Sequence, residues 1–220
     1  MAQHFDHIII ATGIVPRTPR IEGVSHASVL SYLDVLLHKK PVGKRVAVIG
    51  AGGIGFDVAE YLLHDPSTSL PIPLAHWFAE WGVDPQATQN GGLIAPVVAT
   101  PFRQIFLLQR KSSKLGAGLG KTSGWVHRAT LQRNQVEMLA GVEYQRIDDK
   151  GLHISINGET RLLEVDNVIL CAGQDSLTEL MPGQVTENGP RFYKIGGAAL
   201  ASELDAKRAI REGAVLAASL

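Results

Sequence analysis

The sequence holds one cysteine, Cys171, among 220 residues. That scarcity excludes an intramolecular disulfide and any iron–sulfur cluster held by these residues alone. The eight histidines lack the spacing of a zinc site, so no metal site is expected. Charge of one sign is missing too: 21 Lys plus Arg balance 21 Asp plus Glu. Nucleic acid as the main partner would want a net basic surface and is not expected, so any anion must be met by a local cluster. No apolar run reaches the roughly 18 residues of a membrane span, and no secretory leader is visible. No membrane partner is expected, and the expected location is the cytoplasm. With 45% apolar and 19% charged residues, the chain reads as globular, one large domain or two small ones.

What is present begins with a repeat. "FDHIIIATG", residues 5–13, and "VDNVILCAG", residues 165–173, share Asp, Ile and Gly at equal offsets. Each reads as a strand packed on both faces of a parallel sheet, ending in a small residue and a glycine that lets the backbone pass close to whatever lies beyond. The second copy has a partner upstream. "KRVAVIGAGGIGFDVAEYLL", residues 44–63, reads as strand, glycine turn and helix, with Gly50, Gly52 and Gly55 spaced G-x-G-x-x-G. Ile54, Val58, Tyr61 and Leu62 recur along one helical face. In that setting Gly50 makes the tight turn, Gly52 admits a pyrophosphate to the backbone, and Gly55 allows close packing of helix and strand. The first copy has no such partner. It can be an edge strand of one domain; we expect instead that it closes a second nucleotide-binding half, and that the chain is the C-terminal portion of a longer polypeptide.

The second strand of the unit is "FLLQRK". Gly50 to Gln109 is 59 positions, against the usual interval of about 20. Residues 66–102 therefore read as an insertion, carrying a helical stripe of Leu74, Trp77, Phe78 and Trp81 expected to pack as core. With the insertion looped out, Gln109, Arg110 and Lys111 fall where an NAD-using fold keeps a carboxylate for the ribose 2′-hydroxyl. Arg110 can instead clasp a 2′-phosphate, with Lys111 and Lys114 adding charge. The anion inferred is the extra phosphate of NADPH, although a solvated basic loop has the same composition. "GLGKTSG" lacks the first glycine of a Walker A loop, so a triphosphate site is not expected.

Downstream, Thr122 or Ser123 is expected to cap a helix bearing Trp125, Val126 and Ala129. His127 reads as a surface histidine. Residues 136–165 alternate between turns and predict a small antiparallel meander. Cys171 reads as an inert buried thiol, and "HKKPVGKR" as a solvated turn. Ala206, Ala209, Ile210, Gly213 and Ala217 predict a packed C-terminal helix, with Asp205, Lys207 and Arg208 on its polar face. The fold class is α/β: a Rossmann-like parallel sheet with flanking helices and a small antiparallel meander.

Taken together, "ATGIVPRTPRIEGV", "VLSYLDVL", "GAGGIGFDVAEYL", "LLQRK" with "GLGKTSGWVHR", and "ELDAKRAI" resemble the C-terminal region of bacterial NADPH-dependent 2,4-dienoyl-CoA reductases. The resemblance covers nearly the whole chain. It implies a two-dinucleotide-binding flavoprotein with an incomplete FAD half at residues 1–32, an NADPH domain at 33–175, and a return to the FAD half at 176–220. It implies that Gly50, Ala51, Gly52, Gly53, Ile54 and Gly55 hold the NADPH pyrophosphate, and that Gln109, Arg110, Lys111 and Lys114 surround its 2′-phosphate. Ala172 and Gly173 would stand at the neighbouring strand end, and Ala11, Thr12, Gly13, Gly196 and Gly197 would line FAD. An FMN barrel, a [4Fe-4S] cluster, the FAD pyrophosphate turn and the unsaturated acyl-CoA site would all lie upstream in the same polypeptide. No catalytic side chain is expected in these residues. A non-catalytic NADPH-binding sensor or docking module, or a related enoate reductase of the same architecture, remain alternatives.

Overall fold

The computed structural model describes residues 5–67, 71–97, 100–183, 189–202 and 205–220. In chain order the strands and helices begin with β1 (His7–Ile10), β2 (Ile14–Pro16), β3 (Val29–Ser31), α1 (Tyr32–Leu36), β4 (Arg45–Ile49), α2 (Gly53–Leu63) and α3 (Leu74–Trp81). There follow β5 (Gln104–Leu108), α4 (Gly124–Arg133), β6 (Glu137–Leu139), β7 (Val142–Asp148), β8 (Gly151–Ile156) and β9 (Glu159–Leu163). The last are β10 (Asn167–Leu170), β11 (Gln174–Ser176), β12 (Arg191–Lys194) and α5 (Ala206–Ser219). They form two compact units, Thr18–Ala172 and Met1–Arg17 with Gly173–Leu220.

The larger unit is built on a five-stranded parallel sheet in the order β3-β10-β4-β5-β6. Strand periodicity sorts its side chains onto two faces. Val46, Val48, Ile105, Leu107 and Ile169 pack against α2 and α4, and Ala47, Ile49, Phe106, Leu108, Val168 and Leu170 pack against a second layer. That second layer is the expected meander, β7-β8-β9, antiparallel throughout. Its second hairpin turns on Asn157 and Gly158, both at positive φ, as a two-residue turn matched to strand twist requires. Val142, Leu152, Ile154 and Leu163 are each no more than 1% exposed there, so the layer is core rather than decoration. Residues 29–31 pair with β10 and so belong to this sheet, not with the N-terminal segment where the sequence placed them.

Three helices of the larger unit depart from expectation. In α2 the buried positions are Gly55, Phe56, Val58, Ala59, Leu62 and Leu63, while Tyr61 is exposed. Flanking α1 and α4 widen the apolar stripe and rotate it toward Phe56. In α3 nothing is buried, and Trp77 is 44% exposed; the stripe is therefore not core. The helix is attached through Arg133, whose guanidinium lies 4.3 Å from the Trp81 ring and donates to Glu80 O at 3.0 Å, and through Val97 N–H to Ala79 O at 2.8 Å. Ser123 stands at the N-cap of α4 without a side-chain cap bond. A backbone turn, Gly124 N–H to Gly120 O at 2.8 Å, makes the entry instead.

In the smaller unit, β1 pairs in parallel with β12, and β2 pairs antiparallel with β11. The half-buried face of α5 is Arg208, Ala209, Glu212, Gly213 and Leu216, whereas Ala206, Ile210 and Ala217 are exposed. Polar bonds turn it: Glu212 Oε2 accepts the Gly196 N–H at 2.5 Å, and Arg208 Nη2 donates to Leu200 O at 2.6 Å. Arg208 thus faces inward rather than sitting on the polar face. Among the described residues no helix is long and apolar enough to cross a membrane, and no cluster could hold a metal ion.

Candidate nucleotide site

β4 feeds a glycine turn whose wall is the end of β10. Gly50 has φ +112°, and a Cβ there would lie 2.3 Å from the Cys171 carbonyl oxygen. Neither condition admits a side chain. The turn is pinned on both sides, by Gly50 N–H to Leu108 O and by Cys171 N–H to Ile49 O, each at 2.8 Å. A Cβ on Gly55 would lie 1.7 Å from the Gly50 carbonyl oxygen, so the helix leaves the turn in contact with it. By contrast, a Cβ at Gly52 or Gly53 would meet nothing within 4 Å. Gly52 caps α2 without a side chain, and no acid occupies the first turn. The first N–H groups of α2 therefore point into open space with the positive end of the helix dipole behind them. A diphosphate fits such a cradle. Ala51 and Ile54 are partly buried against the core, and across the turn the Ala172 nitrogen lies 3.1 Å from where a Gly50 Cβ would stand.

β4 lies between β10 and β5, and the chain runs from β4 to β5 on one side while β10 returns on the other. This is the topological switch point at which open α/β sheets bind ligands. Because Ile49 and Leu108 are in register, the segments beginning at 50 and 109 leave the sheet side by side. The segment after β5 carries no carboxylate. Gln109 turns its amide back into its own loop, donating to Lys111 O at 3.0 Å and Ser113 O at 2.5 Å. Gly141 N–H to Lys111 O, 3.0 Å, ties the loop to the end of β6. Arg110, Lys111 and Lys114 are exposed, and none makes an ion pair among the described residues. Burial pushes the Tyr144 phenol well above its ordinary range, and the charge of nearby Arg110 pulls it the other way.

The glycine loop that follows is held where sequence reasoning gave it no anchor. Arg128 Nη1 donates to Gly116 O at 3.0 Å, and a Cβ on Gly116 would strike the Phe56 ring at 2.8 Å. His127 is not a free surface residue: its Nδ1 meets Glu60 Oε1 at 2.7 Å, linking α4 to α2. Cys171 is buried as expected, and burial pushes its thiol up to about 12.

In the smaller unit the expected FAD-side residues converge. Ile195 N–H bonds Ile10 O at 3.1 Å, continuing the β1–β12 ladder. The two glycine segments beyond it meet: a Cβ on Gly197 would lie 3.0 Å from Gly13 C. Thr12 Oγ1 donates to Leu177 O, and Leu177 N–H returns to Gly13 O at 3.0 Å. Ala11 stands at the end of β1 beside them, and Gly173 O accepts the Arg17 N–H at 3.0 Å.

A twin-glycine α/β layout of this kind calls for comparison with known families, and the family described as pyridine nucleotide-disulphide oxidoreductase matches residues 2–192. The chain belongs to that family. The family is one of flavin-dependent oxidoreductases that bind FAD and NAD(P). The metal reductase of Desulforamulus reducens is 27% identical over 80% of this chain and 25% of its own length. The cinnamate reductase of Clostridium sporogenes is 24% identical over 88% of this chain and 24% of its own. In fold, the chain is similar to 2-naphthoyl-CoA reductase bound to 2-naphthoyl-CoA, with a TM-score of 0.68 and 23% identity over 94% of this chain and 26% of that one. The chain thus spans about a quarter of the length of these relatives. The one cysteine of the sequence, Cys171, is buried and unpaired.

Proposed function

We propose that this chain is the NADPH-binding portion of a 2,4-dienoyl-CoA reductase, receiving NADPH on the turn after β4 and serving an FAD bound partly by the smaller unit. The observation that carries the choice of coenzyme is the end of β5. A strand end that selects NADH places a carboxylate on the ribose 2′-hydroxyl. Here three exposed cations follow β5 without an ion pair among the described residues, and the amide of Gln109 at the strand end is committed to its own loop. A carboxylate would repel a 2′-phosphate; this loop attracts it.

When bound, NADPH supplies a hydride and FAD accepts it. The chain's own part is to position both. The first turn of α2 and the open face of Gly52 and Gly53 hold the diphosphate, and Arg110, Lys111 and Lys114 hold the 2′-phosphate. Ala11, Thr12, Gly13, Gly196 and Gly197 line the flavin, with Ala172 and Gly173 leading from one unit to the other. The conjugated acyl-CoA, FMN and [4Fe-4S] cluster are assigned to other parts of the polypeptide, in cytoplasm. Relatives named for cinnamate and for 2-naphthoyl-CoA support an unsaturated acid or thioester as the final acceptor.

Calorimetric titration with NADPH and NADH tests the coenzyme assignment. Arg110 to a phosphate is a charge-assisted, bidentate contact, so Arg110→Ala should weaken NADPH by about tenfold to a hundredfold and leave NADH unchanged. Equal affinity of the unaltered chain for both coenzymes overturns it.

A further inference from the structure

At the opposite end of the same strands, the run "HKKPVGKR" and the C-terminal end of α2 enclose a cavity of about 450 Å³. We propose that this cavity is a second ligand site, taking a small carboxylate with an apolar body. It lies at the amino ends of β4 and β5, so the length of β4, about 16 Å at 3.3 Å per residue, separates it from the nucleotide turn. Its volume suits a ligand of that size.

The floor is apolar: Val35 and Leu62 are each 2% exposed, and Val42 and Pro66 close the sides. Such a floor receives a hydrocarbon body but gives no preference for charge. The rim does. The carboxyl end of a helix repels anions, yet here Arg103 occupies it, donating Nη1 to Leu62 O at 2.8 Å, Nε to Gly43 O at 3.0 Å and Nη2 to Val42 O at 3.3 Å. Its guanidinium is bonded to carbonyls and to no carboxylate among the described residues; the Asp65 carboxylate, which also lines the cavity, acts on it through space without a hydrogen bond. Lys40 is neutralised by Asp34 at 2.7 Å.

Lys39 is the group available to a ligand. It is a non-glycine residue at φ +50°, a conformation that few side-chain-bearing residues adopt. That backbone lays its ammonium 4.7 Å from the centre of the Tyr61 ring and 3.2 Å from the Tyr61 hydroxyl, at the mouth of the cavity. Lys39 makes no ion pair among the described residues. An apolar floor beneath a held, unpaired ammonium and a phenol hydroxyl selects a carboxylate whose body is hydrocarbon. Neither a bare anion nor a neutral hydrophobe satisfies both parts.

Amide-resolved NMR titration of the chain with hexanoate, hexanol and inorganic phosphate tests this, each with and without saturating NADPH. Hexanoate should shift the amides of Val42, Tyr61 and Leu62 saturably, and the shifts should persist with NADPH bound, which separates this site from the nucleotide turn. One charge-assisted contact is worth about tenfold, so hexanol should bind at least that much more weakly. Lys39→Met, which keeps the aliphatic stem, should cost hexanoate about the same factor and leave hexanol unaffected. The proposal is overturned if hexanoate leaves these amides unmoved, or if hexanol or phosphate matches it. It also fails if Lys39→Met binds hexanoate as tightly as the unaltered chain.

Discussion

Gln109 and Ser113 are joined by a 2.5 Å hydrogen bond from the side-chain amide to the backbone carbonyl oxygen. The same amide nitrogen reaches Lys111 O at 3.0 Å. Both partners are acceptors, so only a donor satisfies them. In the proposed site Gln109 would be a positioning residue: it curls the backbone that carries Arg110, Lys111 and Lys114, which make no ion pair among the described residues. Gln109→Glu removes the donor and adds a charge of the wrong sign. NADPH affinity should fall by about tenfold or more while NADH affinity holds or rises, because a carboxylate there can accept the ribose hydroxyl. A merely structural role would weaken both coenzymes alike, so the ratio of the two dissociation constants is the readout.

Two glycines three positions apart should respond differently to the same added methyl group. At Gly52 the new Cβ meets nothing within 4 Å, so Gly52→Ala should melt within a degree or two of the unaltered chain yet lose most dinucleotide binding, since in the proposed site the methyl would stand where the diphosphate approaches. At Gly55 it meets the Gly50 carbonyl at 1.7 Å. Overpacking of that kind costs about 1–3 kcal/mol, and Gly55→Ala should lower the melting temperature by several degrees as well as binding. Thermal melts paired with NADPH titrations check both.

Acid sensitivity should trace in part to Asp34. Hydrogen bonds from Lys40 and Ser31 lower its carboxyl from 3.8 to about 2. A depressed folded-state value means the ionised form is favoured by folding, so its contribution is fully present above about pH 4 and is lost as pH falls toward 2. Asp34→Asn should lower the melting temperature at pH 6, and the gap from the unaltered chain should close by pH 2. A gap that stays constant across that range rules Asp34 out as the source.

Cys171 should resist alkylation while the chain is folded. With its thiol pushed up to about 12, roughly one molecule in ten thousand is thiolate at pH 8, and thiolate is the reacting form. Iodoacetamide labelling followed by mass spectrometry should show slow modification in buffer and rapid modification in urea. Equal rates would show that the strand end is open to solvent.

Much of this was legible in advance, for identifiable reasons. The strand at 45–49, its glycine turn, β5 and β10 announce themselves because fully buried parallel strands must be apolar at every position. The meander shows because Asn157-Gly158 permits only one kind of turn. Legibility failed where the deciding contact was tertiary. Nothing in the pattern at 206–217 says that Glu212 reaches for the Gly196 N–H, so the inward face of α5 was assigned to its alanines and isoleucine. The stripe at 74–81 has helical spacing, but spacing does not reveal whether a surface exists to receive it. β2, β11 and β12 are three- or four-residue strands, β11 and β12 with polar members, too short to show a period. The basic end of β5 was visible as composition; the amide latch of Gln109 was not, because a glutamine reads the same whether it faces ligand or backbone.

The wall against which Gly50 turns is made of residues about 120 positions further along the chain. A ribosome that has delivered β4, α2 and even β5 has made every glycine of the dinucleotide cradle and still lacks the carbonyl that closes it. Until the segment through Cys171 has emerged and slotted in beside β4, the nascent protein lacks the closed turn, so a dinucleotide bound there could reward only the finished sheet and could not template its assembly.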